Sequence, residues 1–239
     1  VVRPLPQAGD SHRSGVGTAA ALSLAFAMQR DLLDALRCPG THEESWLVAM
    51  VLQADGPVLL EAELACPVCA AEYRIAAGVA LFAESRPATD DEPYTTDNVL
   101  RLAALLGVAE SQLPVALVGR YAAASELLAS FVAAPQLLVN SGAPTAAPGA
   151  SHIVAADRLP LGVETLAAIA VDGYHASPAL LASAARALRL GGRLVAPATA
   201  AIPAGMRELA RDESEWVAET TTRASGLVEL RRRAPESVG

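Results

Sequence analysis

Short apolar runs alternate with helical patterns from Thr96 onward. A helical pattern over 97–108 precedes the strand-like run 115–119 (VALVG), which passes directly into an Ala-rich helical segment at 122–132. Three more strand-like runs and a second long helical pattern follow: QLLVN, HIVAA, AAIAV and SPALLASAARALRL. Strands that alternate with helices predict an α/β domain whose mostly parallel sheet is covered on both faces.

Two late segments have the alternation of strands without an intervening helix. They are EWVAETTT at 215–222 and LVELRRR at 227–233. Strands joined by a short connection pair antiparallel, so these two are predicted to form a terminal antiparallel pair. The Arg run that closes the second segment is interpreted as a solvated strand end.

The first third of the chain has a different pattern. Residues 1–17 are rich in Pro, Gly and polar groups, which predicts disorder. A helix is expected next, continuing through Leu32, Leu33 and Leu36; the alternative is a signal peptide with a cleavage-like Ala25-Phe26-Ala27 end. The runs WLVAMVL and VLLEAEL then read as two strands joined by a turn at 54–57.

Four candidate metal ligands flank this predicted hairpin. Cys38 and His42 form one C-x₃-H pair, and Cys66 and Cys69 form a C-P-x-C pair. The intervening hairpin can bring the pairs together, and three thiolates with one imidazole complete a tetrahedral zinc site with no open position. Such a closed site is structural, because it stabilises a module too small to fold alone. The alternatives are a metal-free relic with inert thiols and a redox role for Cys66 and Cys69.

Composition narrows the classes of partner and compartment. The net charge of −8 argues against nucleic acid as a main partner, since phosphate binding requires a basic face. Three cysteines cannot form a closed set of disulfides, which favours metal binding in a reducing, cytoplasmic setting. No apolar run is long enough to span a bilayer. The acidic, Pro-containing stretch 84–95 is predicted to be a linker, and its Asp90, Asp91 and Glu92 a solvated charge run.

The N-terminal motifs resemble the Trm112-like zinc-ribbon family. The resemblance rests on the order Leu-Leu-x-x-Leu-x-Cys-Pro, a hairpin, Cys-Pro-x-Cys and then x-x-Tyr-x-Ile-x-x-Gly-Val. The matching residues are Leu32, Leu33, Leu36, Cys38, Pro39, Cys66, Pro67, Cys69, Tyr73, Ile75, Gly78 and Val79. The departure is His42, which stands one place after the family's usual second cysteine. The resemblance implies a ribbon within residues 18–83 that pairs with a methyltransferase domain.

Residues 96–233 resemble class I S-adenosylmethionine (SAM)-dependent methyltransferases, followed by a tail at 234–239. The stretch LLASAARALRLGGRLV matches that family's helix, Gly-Gly turn and fifth strand, and DRLPL at 157–161 matches its Asp-x-x-Leu-Pro stretch. The resemblance implies a Rossmann-like sheet with SAM bound over the turn after the first strand. Asp157 would then lie near the adenine.

The residues that would hold SAM are mostly replaced. The family's Asp/Glu-x-Gly-x-Gly-x-Gly turn corresponds here to Leu117, Gly119, Tyr121 and Ala123. A side chain at a position of positive φ costs about 1 kcal/mol, and a Tyr ring can fill the volume of the cofactor. The acidic residue that grips the ribose corresponds to Asn140, which supplies no charge. Loss of SAM binding is predicted; if binding is retained, Gly119, Asn140 and Asp157 would carry it.

The sequence therefore favours a non-catalytic methyltransferase-like protein, with a structural zinc ribbon, that serves as a scaffold or accessory subunit for a protein partner. The alternative is a SAM-dependent methyltransferase with an atypical loop. A third hypothesis is a sensor of another small molecule, with Arg120 as an anion contact. Asp172, Tyr174 and His175 follow the fourth strand, where a His could act as a general base, although a surface role is the commoner one.

Overall fold

The computed structural model describes residues 27–84, 94–142 and 147–223. Their strands join into one 12-stranded sheet. The strands are β1 (Met28–Gln29), β2 (Val48–Asp55), β3 (Val58–Ala65), β4 (Glu72–Ala76), β5 (Val79–Leu81), β6 (Val115–Val118), β7 (Gln136–Val139), β8 (Ser151–Val154), β9 (Leu166–Val171), β10 (Leu188–Pro197), β11 (Met206–Arg211) and β12 (Glu215–Thr220). The helices are α1 (Thr96–Leu106), α2 (Ser125–Leu128) and α3 (Pro178–Ala187), with 3-10 helices at Arg30–Ala35 and Gly119–Ala124.

Five parallel strands form the centre of the sheet in the order β8-β7-β6-β9-β10. Counted from β6, this is the order 3-2-1-4-5 of a doubly wound Rossmann-like fold. All residues of β6, β7 and β9 are buried, as expected of parallel strands covered on both faces. The predicted α/β class with a mostly parallel sheet is confirmed.

Side chains of alternate residues build two apolar clusters on opposite faces. On β6, Val115 and Leu117 pack with α1, whereas Ala116 and Val118 pack with α3. The cluster that packs against α3 continues without a break into the N-terminal strands, where it includes Leu59 and other buried residues. The ribbon-like region and the Rossmann sheet therefore share one core.

The predicted helices α1 and α3 begin at residues that cap them. Thr95 caps α1 by accepting the N–H of Asn98, and Gly107 ends it with a φ of 64°. Ser177 caps α3 in the same way. The helix expected over 122–132 is shorter than predicted: α2 ends at Leu128, because the following residues turn back and Ala133 pairs with Ala109 at 2.7 Å. The longest helix, α1, has 11 residues, and no helix among the described residues is long and apolar enough to cross a membrane.

The C-terminal strands are antiparallel, as predicted, but the pairing partners differ. β12 lies between β10 and β11 and pairs antiparallel with both, so its two edges are taken. LVELRRR, the predicted partner, lies outside the described residues. Sequence reasoning missed β11, whose residues MRELAR are exposed except for a half-buried Met206 and so lack an apolar strand pattern.

The N-terminal region is a small antiparallel sheet that extends the large one. β2 and β3 form the predicted hairpin, and β4 and β5 follow. β5 then pairs in parallel with β8, Val79 opposite His152, so the two sheets become continuous. The helix expected through Leu32 and Leu36 is instead the short strand β1 and a 3-10 helix, because β1 is drawn into pairing with β3.

Candidate functional site

The structure brings the four predicted metal ligands together. The ligand atoms of Cys38, His42, Cys66 and Cys69 all lie within 4.8 Å of one another. Cys38 and His42 follow the 3-10 helix, whereas Cys66 and Cys69 lie at the end of β3. The backbone stabilises the second pair, since the N–H of Ala70 donates to the carbonyl of Cys66 at 2.9 Å.

Three of the distances between ligand atoms are close to those around a tetrahedral zinc ion. Zn–S bonds of about 2.3 Å and Zn–N bonds of about 2.0 Å place tetrahedral ligand atoms about 3.5–3.8 Å apart. Sγ of Cys38 lies 3.7 Å from Sγ of Cys69, and Nε2 of His42 lies 3.2 Å from Sγ of Cys38 and 3.4 Å from Sγ of Cys66. The cluster could therefore hold a metal ion with three sulfurs and one nitrogen.

Local hydrogen bonds prepare these side chains as ligands. Nδ1 of His42 lies 2.6 Å from the carbonyl oxygen of Glu43. A carbonyl only accepts, so Nδ1 carries the proton and Nε2 presents its lone pair to the sulfurs. Burial opposes ionisation of Cys66, but hydrogen bonds from the backbone N–H groups of Cys69 and Val68 and from the Cys69 and Cys38 thiols outweigh it and lower the thiol pKa to about 6, while burial and the neighbouring thiols raise the pKa of Cys69. A thiolate is the form that binds metal.

The Cys/His cluster lies where the N-terminal strands contact the Rossmann-like sheet. The N–H of Arg37 donates to the carbonyl of Pro160 at 2.9 Å, one residue before the first cysteine. Glu44, two residues after His42, forms ion pairs with Arg37 and with Arg186 of α3. A metal that ordered this loop would therefore also order the junction between the two parts of the chain.

The second candidate site is the turn after β6. Gly119 has a φ of 62° and begins the 3-10 helix, whereas Tyr121 and Ala123 lie within that helix and not at positive φ, so the backbone cost expected for their side chains does not arise. Asp172, which follows β9, places its carboxylate against this turn and accepts the N–H of Arg120 at 2.9 Å. A Cβ added to Gly119 would overlap that carboxylate and the His175 ring. The space left by the missing side chain of Gly119 is therefore filled by Asp172 and His175 of the protein itself.

His175 completes this arrangement. Its Nδ1 lies 2.7 Å from Asp172, and both side chains are at most 3% exposed. Burial alone would raise the pKa of Asp172, but hydrogen bonds from His175 and the N–H of Arg120 outweigh it and lower that pKa. Tyr174, in contrast, is exposed. The sequence placed the three as a candidate catalytic group; the structure brings together Asp172 and His175 in the interior.

Tyr121 is a core residue in this structure. Its ring packs in the cluster beneath α1, and its hydroxyl donates to Glu215 at 2.7 Å. Burial and the neighbouring Glu215 carboxylate raise its pKa. Arg101 donates to the same carboxylate, so Glu215 joins the 3-10 helix, α1 and β12. Sequence reasoning missed Glu215, because 94 positions separate it from Tyr121 and no local motif marks it.

Asn140 and Asp157, the other candidate SAM contacts, lie in different surroundings. The side chain of Asn140 donates to the carbonyl of Ala155 at 2.9 Å and accepts its N–H at 2.8 Å. Both of its polar groups thus join the ends of β7 and β8. Asp157 is exposed, whereas Leu159 and Leu161 of the same stretch are buried. Arg120, the candidate anion contact, lies 5.3 Å above the Tyr121 ring.

No protein-family model and no curated protein matches the chain. Among solved structures, the antibiotic-resistance methyltransferase Kmr is 15% identical over 55% of this chain and 95% of its own, with a TM-score of 0.34. Geranyl diphosphate C-methyltransferase from Streptomyces coelicolor is 16% identical over 42% of each chain, with a TM-score of 0.35.

A complex between the Trm112 methyltransferase activator of Haloferax volcanii and a protein described as a methyltransferase is also similar. It is 17% identical over 41% of this chain and 49% of that chain, with a TM-score of 0.33. This chain spans less than half of the last two matched chains. At such identities a similarity concerns the fold alone. The strand order of this chain independently identifies a Rossmann-like sheet.

Proposed function

We propose that this protein is a non-catalytic, methyltransferase-like accessory or scaffold subunit with a structural zinc ribbon. The observation that carries the proposal is the Asp172 carboxylate at the Gly119 turn. In nucleotide-binding Rossmann folds, the turn after the first strand uses its N–H groups and its lack of a side chain to approach the ligand. Here an internal carboxylate takes both the N–H of Arg120 and the space over the glycine.

The neighbouring polar groups support the same conclusion. Both polar atoms of the Asn140 side chain are engaged with Ala155, and the Tyr121 hydroxyl is engaged with Glu215. A ligand would have to break these partly buried hydrogen bonds before making its own, at up to about 1–3 kcal/mol for each group left unpaired. The residues that could hold a SAM molecule are therefore better explained as parts of a self-contained fold.

Zinc is the metal that the ligand set favours. Three sulfurs and one imidazole whose ligand atoms lie within 4.8 Å of one another, with no further protein ligand needed, are typical of structural rather than catalytic zinc. Three free thiols near one another are stable in a reducing environment, so a cytoplasmic location forms part of the proposal.

The ribbon would act on the Rossmann sheet within the same chain. Strand β5 adds to the β8 edge, and the apolar core is continuous across the junction. We infer that residues 18–83 are a Trm112-like ribbon joined by the 84–95 linker to the domain at 96–233. The chain would then contain both members of an activator–methyltransferase pair, with the pair serving assembly rather than catalysis.

Titration calorimetry of the zinc-loaded full chain with SAM, and with its demethylated product, tests the proposal. We expect no saturable binding. A dissociation constant below about 100 μM, or about −5.5 kcal/mol, would contradict it and favour the working methyltransferase. Native mass spectrometry provides a second measurement, because a sulfonium nucleoside retained through purification would be detected by its mass and would also overturn the proposal.

The scaffold role has its own test. Affinity purification of the tagged chain from its source cells, with quantitative mass spectrometry, should recover a protein partner in stoichiometric amount. Recovery of the chain without any such partner, together with a strictly monomeric mass, would contradict the scaffold role while leaving the calorimetric result unchanged.

A further inference from the structure

The outer strand of the ribbon, β2, is an exposed apolar edge. All eight of its residues are exposed. Val48, Met50, Val51 and Leu52 belong to it, and with the nearby Trp46 and Val68 they make up six of the twelve large hydrophobic side chains that are exposed among the described residues. Half of these side chains therefore lie in or beside one strand. Such grouping is typical of an interaction surface, whereas single exposed apolar residues are common on any protein.

The backbone of β2 is also available for pairing. β2 pairs with β3, and no strand in the described part of the chain pairs with its other edge. Natural edge strands are usually protected by charged residues, by Pro, by bulges or by shortness. β2 is eight residues long and is uncharged and free of Pro from Val48 to Ala54. Its register against β3 shifts only after Val51, so its first half is regular.

The opposite edge of the sheet carries charged side chains, a protection that the stretch from Val48 to Ala54 of β2 lacks. β11, at that edge, has the sequence MRELAR, with Arg207 paired to Glu219 and Arg211 paired to Glu208. β2 and β11 are edge strands at opposite ends of the same 12-stranded sheet. The contrast indicates that β2 is kept apolar for pairing, since this protein protects its other edge with charges.

We propose that β2 pairs antiparallel with β2 of a second copy of this chain, forming a two-fold symmetric dimer. A two-fold axis perpendicular to the sheet places identical edges antiparallel and makes each contact occur twice. A register centred on Met50 places Met50 opposite itself and Ala49 opposite Val51 in the regular half of β2, and Val48 opposite Leu52, where the register against β3 first shifts. Every cross-strand pair of this set is apolar, which is the type of pair that stabilises sheets.

Charge is consistent with a second copy as the occupant. From Ser45 to Ala54 the chain carries no charge, so the edge offers nothing to attract a charged strand, and an uncharged apolar strand such as β2 itself fits it. In the register centred on Met50, Asp55 lies opposite Ser45 rather than opposite another acidic residue. The exposed Glu63 lies one strand behind Met50. The two copies of Glu63 would be about 14 Å apart, or three strand spacings, beyond the Debye length of about 8 Å.

The mass of the full chain in solution tests the dimer. Light scattering after size exclusion should give about twice the 24.5 kDa of one chain. Met50→Lys places two like charges opposite each other and removes an apolar pair, so it should weaken association at least about tenfold. Leu209→Lys, at an exposed position of β11, is the matched control and should leave the dimer intact. Circular dichroism checks that both variants remain folded.

A charge-swap mixture tests the two-fold contact itself. Met50→Lys and Met50→Glu should each be monomeric alone, and an equal mixture should regain the dimer mass because Lys then faces Glu. A monomeric wild-type chain at about 100 μM would overturn the proposal, as would a dimer that Met50→Lys does not weaken or a mixture that stays monomeric. A monomer that instead binds a different protein through β2 would also overturn it, without affecting the calorimetric test of SAM binding.

Discussion

The carboxylate of Asp172 accepts a hydrogen bond from Nδ1 of His175 at 2.7 Å, in a position where both side chains are at most 3% exposed. The same carboxylate accepts the N–H of Arg120 in the turn after the first Rossmann strand. Two separate parts of the chain, the turn after β6 and the loop after β9, thus meet on one buried anion. A buried anion is stable only while it remains paired, which makes Asp172 a sensitive position.

Asp172→Asn should destabilise the protein by about 1–3 kcal/mol at pH 7, because an amide cannot accept from both donors as a carboxylate does. The pKa of Asp172 is lowered in the folded state, so its contribution is present above the ordinary carboxyl value near 4 and is lost as the pH falls below it. Urea unfolding at pH 7 and pH 3 measures both effects. Glu213→Gln, at an exposed carboxylate, is the control and should change stability by less than about 0.5 kcal/mol.

Tyr121→Phe should cost about 1–2 kcal/mol, since it removes a hydrogen bond to a carboxylate but keeps the ring in the core. Tyr121→Ala should cost about 3–5 kcal/mol through the cavity beneath α1. Tyr174→Phe, on an exposed ring, is the matched control. Chemical denaturation measures all three. Equal, small effects of Tyr121→Phe and Tyr121→Ala would contradict the core role.

Asn140→Asp separates a structural role from a cofactor role. The substitution restores the acidic residue that would grip a ribose, but a carboxylate cannot donate to the carbonyl of Ala155. We expect a loss of about 1–2 kcal/mol in unfolding free energy and no gain in SAM affinity. A measurable SAM affinity in this variant, by calorimetry, would show that the crevice still accommodates the cofactor.

Chelation should destabilise the whole chain. If zinc orders the cluster at the junction, its removal should lower Tm by at least about 5 °C, or more than about 1 kcal/mol for a chain of this size. Metal analysis should find one zinc per chain in the wild type, the same in His42→Cys, and none in His42→Ala. An unchanged Tm after complete metal removal would indicate a cluster of inert thiols.

Stability should increase with pH between about 4 and 6.5 because of His152. Burial in β8 lowers its pKa to about 4, whereas the unfolded chain binds the proton near 6.5. The unfolded state therefore holds more protons in this window, and lowering the pH from 7 to 5 should cost about 1–2 kcal/mol. His152→Val should remove this part of the slope. The wild type and His152→Val both contain the metal cluster, so its contribution cancels when the stability of one is subtracted from that of the other at each pH.

The sequence by itself determined the elements whose signals are local. Period-two and buried apolar runs located β2, β3, β6, β7, β8 and β9, and the helical pattern SPALLASAARALRL located α3. The spacing of Cys38, His42, Cys66 and Cys69 predicted that these four side chains come together, because two short pairs and one hairpin fix which side chains converge. Burial and ligand chemistry both leave a pattern in neighbouring positions, so these features could be predicted.

Only the tertiary structure decided what each candidate side chain contacts. Asp172 lies against Gly119, Tyr121 donates to Glu215, and β12 takes β11 as a neighbour. These contacts join positions far apart in the chain, and their polar groups could as well have faced solvent or a ligand. The exposed β2 edge was likewise invisible, since an apolar strand pattern does not say whether a second strand covers it. Such choices depend on three-dimensional packing, which local sequence does not encode.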